Sequence, residues 1–313
     1  MPKITVIIPN FNHGHLITDC IRGLQAQTYT DFETIIIDDK STDNSIETIR
    51  AAIRYDNRFK LLQLPNNVGV VNVLNIGISL SKTEFVYLGA ADDITMPLMF
   101  ESLIGPIEGS KNAAFAVCEV KLVKHFNPLE QGSIKPAVRP SNRLNEFSAH
   151  KSLKVLKSTD NWALTGASII RRDHLVESGQ LRSELGSGAD GFTLRKLALT
   201  HGFIFVPKIG LVWRRNSSGY SATTLGNFEV FDLQLTEYCK ALAQDPVFPI
   251  WYPAKYSKRM KFSRTVFMIS NGDGYSRLIQ SVLSVIAYLK YRPFPLRRIV
   301  ATLTSRTFEK LSR

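Results

Sequence analysis

Between Ile4 and Ala90 the chain keeps switching between short β-branched runs and longer amphipathic stretches, and this alternation narrows the folds open to it. ITVIIP (Ile4–Pro9), FETIIID (Phe32–Asp38), RFKLLQLP (Arg58–Pro65) and EFVYLGA (Glu84–Ala90) read as strands. Between them, His15–Gln27, the segment opened by Ser41, Thr42 and Asp43 and running toward Tyr55, and Val70–Leu80 read as helices. Strands joined by single helices need crossover connections, and right-handed crossovers build a parallel sheet. In such sheets ligands gather beyond the carboxyl ends of the strands.

The rhythm loosens after Pro97. Ala113–Val123 reads as a strand, Pro128–Asn142 as a polar loop, Leu164–Ile170 as a small-residue strand and Gly191–Thr200 as a helix. FIFVP and GLVWRR read as two short strands, and the pattern from Asn227 onward is helical with proline breaks. The 313 residues are 44% hydrophobic and 21% charged, the composition of a soluble globular protein. MPKITVIIPN has the character of a strand rather than a secretory signal, and Cys20, Cys118 and Cys239 are scattered without a C-x-x-C. Both features predict a cytoplasmic protein with reduced thiols. The net charge of +12 sits mostly in a tail, since from Trp251 onward 13 Lys and Arg face only Asp273 and Glu309. Leu278–Tyr291, too short to span a bilayer and flanked by Arg277, Lys290, Arg292, Arg297 and Arg298, suits an in-plane helix on an anionic membrane surface. Nucleic acid is not the expected partner, because the rest of the chain is close to neutral and carries no RNA-binding motif.

Acids recur where this fold would place a ligand. Strand two ends in DDKSTD, with Asp38 and Asp39; strand four runs into GAADD, with Asp92 and Asp93; GAD places Asp190 just ahead of a helix. A D-x-D phosphatase is excluded because the second residue after Asp38 is Lys40. A dinucleotide fingerprint is excluded because PNFNHGHL offers only Gly14. From about residue 4 to 221, the ordered series IIPNFN, DDKSTD, NNVGVVNVLNIG, AADD, GAD and VWRRNSSGYS resembles the GT-A glycosyltransferases of family two, which are inverting nucleotide-sugar enzymes.

That resemblance implies an α/β GT-A catalytic domain over 1–226, with 1–98 the nucleotide-binding half and 99–226 the acceptor half, followed by a helical basic extension over 227–313. It assigns Pro9, Asn10, Phe11, Asn12, Asp38, Asp39, Asn67, Gly69, Asn75 and Asp93 to a UDP-linked donor, and Asp92 with Asp93 to a divalent Mn²⁺ or Mg²⁺. It assigns Arg214 and Arg215 to the diphosphate, Trp162, Thr165 and Gly166 to the acceptor, and Asp190 as general base. Two carboxylates are enough for a hard ion whose shell is completed by phosphate oxygens and water. The implied acceptor is a glycan or lipid-linked hydroxyl in surface polysaccharide or glycolipid synthesis, used at the inner face of the cell membrane. Leu74, Ala90, Ala189 and Asn216 depart from the family pattern, which leaves a catalytically inactive sugar-binding module as the alternative. A nucleotidyltransferase is the weaker rival, since PNFNHGH is neither glycine-rich nor basic.

Overall fold

A computed structural model describes residues 2–123, 133–136, 139–159, 162, 164–214 and 220–271. Arg215, the proposed in-plane helix at Leu278–Tyr291 and the proline breaks beyond it lie outside these residues. The first half alternates β1 (Ile4–Asn10), α1 (Ile17–Gln25), β2 (Phe32–Asp38), α2 (Ser45–Ile53), β3 (Phe59–Gln63), α3 (Val70–Leu80) and β4 (Phe85–Leu88). Then come β5 (Ile94–Thr95), α4 (Met99–Gly109), β6 (Phe115–Val123), β7 (Ser133–Lys135), β8 (Asn145–Phe147) and α5 (Ala149–Ser158). β9 (Ser168–Arg171), α6 (Arg172–Glu177), α7 (Ala189–Thr200) and β10 (Phe203–Arg214) complete the sheet and its flanks. Three helices follow: α8 (Tyr220–Gly226), α9 (Phe228–Gln244) and α10 (Tyr252–Asn271).

One sheet in the order β3-β2-β1-β4-β9-β6-β10-β5 runs through the molecule, with β7 paired to β6 and β8 to β10. The β3-β2-β1-β4 section is parallel throughout, as single-helix crossovers require. β9 then enters antiparallel to both β4 and β6, so the sheet as a whole is mixed. The β1–β2 register sets Asn10 beside Asp38, which brings two loop-bearing strand ends level. Gly77 explains how α3 lies so close above them. A Cβ there would stand 2.4 Å from Ile7 Cγ2 and 3.2 Å from Ile37 Cδ1, so only glycine allows the helix to seat on β1 and β2.

Several local expectations are corrected. Leu164–Ile170 is not one strand: Thr165–Ala167 coils into a 3-10 turn, and β9 begins only at Ser168. FIFVP and GLVWRR are one continuous β10, whose pairing with β6 shifts register between Val206 and Ile209 and again before Leu211. Bulges there absorb Pro207, which has no amide hydrogen for a regular ladder. The supposed loop around 128–142 contributes β7, and the helix expected at Gly191 begins at Ala189.

The core runs from the sheet into the C-terminal helices without a seam. Phe231, Leu235, Tyr238, Tyr252 and Tyr256 belong to the same buried cluster as Ile4, Phe115 and Phe203. On the far side, His174 and His201 stack with ring centroids 3.9 Å apart. Burial, then His201 and Arg171, lower His174 below the ordinary imidazole value against the opposing pull of Glu177 and Asp173. Burial also lowers His201, against Glu177. Folding therefore favours both neutral rings, and the unfolded chain binds more protons as pH falls below about 6.5. The stack's contribution is full above that value and fades as the pH drops through it. His201→Phe keeps an aromatic partner but removes one titrating ring, so its urea midpoint should fall less between pH 7 and pH 5 than the wild-type midpoint does.

Candidate active site

The carboxyl ends of β1 and β2 form the floor. Asp38 is buried, and each of its oxygens is engaged: Asn10 Nδ2 (2.7 Å) and Ser41 Oγ (2.6 Å) donate to Oδ1, and the Ser41 amide (2.9 Å) donates to Oδ2. Asp39 reaches the other way, accepting the Val68 amide at 2.7 Å and the Gly69 amide at 2.8 Å. It thus pins the Asn67–Gly69 loop, in which Gly69 takes φ 84° at the N-terminus of α3. The turn between the two acids and α2 needs left-handed backbone at Lys40 (φ 63°), and Asn12 (φ 56°) answers it by accepting the Thr42 amide. What this floor offers outward is the Phe11 ring, 44% exposed, with the edge of Pro9 and the exposed Asn67. Asn75 lies apart from it, with its amide exchanging two hydrogen bonds with the backbone of Leu181. Leu74 is buried on α3 against the core, so the residue standing where the family pattern has arginine is a packing residue.

The second acid pair leaves the end of β4. Asp93 Oδ1 accepts the amide of Arg214 at 3.3 Å, because β5 is zipped antiparallel to Leu211–Val212 just upstream in β10. Burial raises Asp93 well above the ordinary carboxylate range, neighbouring Asp92 raises it further, and Arg214 opposes both. The Arg214 guanidinium sits within 3.3 Å of Asp19 on α1. Among the described residues no cluster of three or more His, Cys, Asp or Glu side chains forms a closed metal cage. Two adjacent carboxylates that repel each other are nevertheless a fit for a hard divalent ion, with the remaining positions left to phosphate and water.

A single turn connects these acids to Asp190. The Thr165 hydroxyl donates to Asp190 Oδ2 at 3.1 Å, and the Tyr87 hydroxyl donates to the Gly166 carbonyl at 2.9 Å. A Cβ on Gly166 would lie 3.8 Å from Asp93 Oδ2. The Thr165–Ala167 turn therefore touches Asp190 with one residue and faces Asp93 with the next. Burial raises Asp190 above the ordinary carboxylate value, while the Gly191 amide, the Thr165 hydroxyl and Arg195 hold it back. Trp162 does not share this position. Its ring is buried and stacks on Phe203 with centroids 4.0 Å apart, inside the core.

Comparison with known proteins settles what kind of fold carries these acids. Residues 5–174 match the model of glycosyl transferase family 2. The chain belongs to that family. Curated relatives include glycosyltransferase GlyG of Streptococcus pneumoniae, 36% identical over 34% of this chain and 35% of that protein. Another is the poly(ribitol-phosphate) β-N-acetylglucosaminyltransferase TarP of Staphylococcus aureus, 38% identical over 33% of this chain and 32% of its own length. The matched stretches thus span about a third of each relative. Among solved structures, S. aureus TarS in complex with UDP-GlcNAc superposes with a TM-score of 0.60 at 19% identity, covering 90% of this chain and 79% of that one. Mannosyltransferase PcManGT of Pyrobaculum calidifontis, in complex with GDP-Man and Mn²⁺, gives 0.59 at 17% identity over 93% and 81%. These two likenesses establish the GT-A fold.

A cavity of about 260 Å³ on the Asp190 side was not foreseen from the sequence. Its walls come from the first turn of α7, the 3-10 segment Ser183–Gly188 and the helices α8 to α10. The sequence signal was present in the aromatics Phe231, Tyr238 and Tyr256 of the C-terminal helices, which line it. One test of the floor concerns Asp39. Asp39→Asn turns an amide NH₂ toward one of the two backbone amides it now holds, losing one charge-assisted bond. The expected cost is about 1.5–3 kcal/mol, read as a lowered urea midpoint, with weaker UDP binding in a calorimetric titration.

Proposed function

We propose that this chain transfers a sugar from a UDP-linked donor to an acceptor hydroxyl with inversion, in the synthesis of a surface polysaccharide or glycolipid. The observation that carries the reading is the Thr165–Ala167 turn, with the strand-end acids on one side and Asp190 on the other. An inverting displacement needs a base where the acceptor enters and charge neutralisation where the diphosphate leaves, and it needs no nucleophile on the protein. Asp190 takes the acceptor hydroxyl proton onto its carboxylate as that oxygen attacks the anomeric carbon. The burial that raises its proton affinity also strengthens it as a base. The floor around Phe11, Asn12 and Asp39 receives the nucleoside, with the Phe11 ring as an exposed stacking face and the Asp39 carboxylate holding the loop that closes over it. Asp92 and Asp93 would hold Mn²⁺ or Mg²⁺, which when bound supplies Lewis-acid neutralisation of the leaving diphosphate. The Arg214 cation, already anchored on Asp19, adds positive potential beside them.

The poly(ribitol-phosphate) in the name of TarP and the UDP-GlcNAc bound to TarS support a polymer acceptor and a nucleotide-sugar donor. No helix among the described residues is long and apolar enough to cross a membrane. Attachment to the inner face of the membrane is inferred from α10, which carries Lys255, Lys258, Arg259, Lys261 and Arg264 and no acid, and from the basic sequence after it. We propose residue 226 as the end of the sheet-bearing part of the catalytic domain, with the helices after it extending the same core.

Two substitutions test the mechanism. Asp190→Asn should lower kcat for sugar transfer by about 10²–10⁴-fold while leaving the Kd for UDP unchanged; transfer at the wild-type rate would overturn the assignment. Asp92→Ala should abolish the extra thermal stabilisation that Mn²⁺ gives on top of UDP. The pH profile supplies an independent check. The Thr165 hydroxyl lowers the Asp190 pKa, so Thr165→Val should move the acid limb of kcat/KM to higher pH.

A further inference from the structure

The turn that leads into α10 holds apolar side chains out in water, with lysines on its flanks. Ile250 is 100% exposed and Trp251 is 37% exposed. A single exposed isoleucine is unremarkable, because much of any folded surface is apolar. Here, however, the residues on either side are fixed. Phe248 and Tyr252 are buried and stack with ring centroids 5.9 Å apart, and Phe248 also meets Phe192 of α7 at 4.9 Å. The Tyr252 amide donates to the Pro249 carbonyl at 2.8 Å, which closes the turn across the pair. Two buried rings therefore anchor its ends, and Ile250 and Trp251 are held outward together.

α5 and α10 place the lysines. α5 reads AHKSLKVLKS, contains no acid, and exposes Lys151, Lys154 and Lys157, whose spacing of three sets them along one broad face. This helix lies beside the turn, since Ala149 and Leu153 share a groove with Val247, Phe248 and Pro249. At its far end Lys255 Nζ donates to the Leu156 carbonyl at 2.8 Å and to the Lys157 carbonyl, tying the start of α10 to the last turn of α5. The 20 residues of α10 contain no acid either. Its exposed positions Ala254, Lys258 and Lys261 continue from Trp251 at helical spacing, while Tyr256, Met260 and Ser263 on the opposite face line the cavity beside Asp190. Asp245, the acid nearest the turn in sequence, is engaged by Lys196 at 2.9 Å.

A soluble polyanion would match the lysines and do nothing for the apolar pair between them. An anionic bilayer matches both. Its headgroups attract the lysines, and its interface accepts an isoleucine and an indole, whose ring is apolar and whose N–H stays wet. We propose that the Pro249–Tyr252 turn is a membrane-docking tip. Ile250 and Trp251 enter the boundary between headgroups and acyl chains of an anionic leaflet, and the exposed lysines of α5 and α10 lie on its surface. The cavity-lining face of α10 then stands about one helix diameter, 10–12 Å, from the leaflet. The inference rests on the reading of this chain as membrane-attached, and it assigns the contact to a folded corner rather than to the basic sequence after α10.

The test is co-sedimentation of the full chain with vesicles of phosphatidylglycerol and phosphatidylcholine in equal parts, compared with phosphatidylcholine alone, at low and high salt. Binding should need the anionic lipid and weaken with salt. Ile250→Asp should lower the partition coefficient at least tenfold, and Lys154→Glu combined with Lys157→Glu should do the same, with the thermal midpoint and the Kd for UDP unchanged. Ile250→Ser is the milder substitution should the aspartate fail to fold. Lipid brominated along its acyl chains should quench the tryptophan emission of the bound protein, and Trp251→Phe should remove most of that quenching. Vesicle binding that these substitutions leave intact, or quenching that survives Trp251→Phe, overturns the docking tip and assigns the attachment to the basic sequence after α10. Absence of binding to either vesicle contradicts membrane attachment itself, and the tip with it. Loss on the lysine substitutions without loss on Ile250→Asp assigns a soluble polyanion. A dimer that Ile250→Asp dissociates without changing vesicle binding assigns a second copy of this chain. Either result overturns the proposal.

Discussion

The hydrogen bond from the Tyr87 hydroxyl to the Gly166 carbonyl holds the centre of this molecule together. Tyr87 belongs to β4, the last strand of the parallel section, and Gly166 to the turn that leads into antiparallel β9. Burial keeps the phenol protonated and its bond to a backbone oxygen dry, which raises the cost of losing it. The turn so fixed carries Thr165 to Asp190 and sets Gly166 opposite Asp93. A displacement of this turn would alter the separation of Asp190 from Asp93, the spacing on which the proposed in-line transfer depends.

The second constraint is the union of sheet and C-terminal helices. Tyr238 and Tyr256 bury their rings against the first turn of α7, so the wall facing Asp190 is contributed by residues well downstream of the family match, which ends at 174. Asp190 itself lies beyond that match. The family match thus takes in the strand ends with Asp38, Asp39, Asp92 and Asp93, while Asp190 and the helices around it lie beyond it.

Much of this was legible in the sequence, for reasons that differ by region. β1 to β4 announced themselves because buried parallel strands are continuous apolar runs, and because a strand end carrying Asp38 or Asp92 has no packing reason to be acidic. α3 was readable from Val70 to Leu80 because a largely apolar run of 11 residues is long for a buried strand. The Leu164–Ile170 stretch misled because small residues fit a strand and a 3-10 turn equally well, and the deciding hydrogen bond comes from Tyr87, far away in sequence. The proline in β10 suggested a break, since a bulge leaves no local signature to distinguish it from a turn. Asn75 matched the family pattern by type, yet its partner is Leu181, a tertiary contact that spacing alone does not reveal. The cavity stayed hidden for the same reason, because its walls come from helices whose mutual packing no short motif encodes.

One consequence belongs to β10. It runs from β8 at one end to β5 at the other, keeping β6 alongside between them, and ends on the amide that holds Asp93. A strand clamped along this length works as a beam: the mount of Asp93 and the strand that pairs with β8 are one mechanical piece. The helices α8 to α10 come after this beam in the chain, so their cavity-facing side chains can vary while β10 keeps the loop of Asp92 and Asp93 in register.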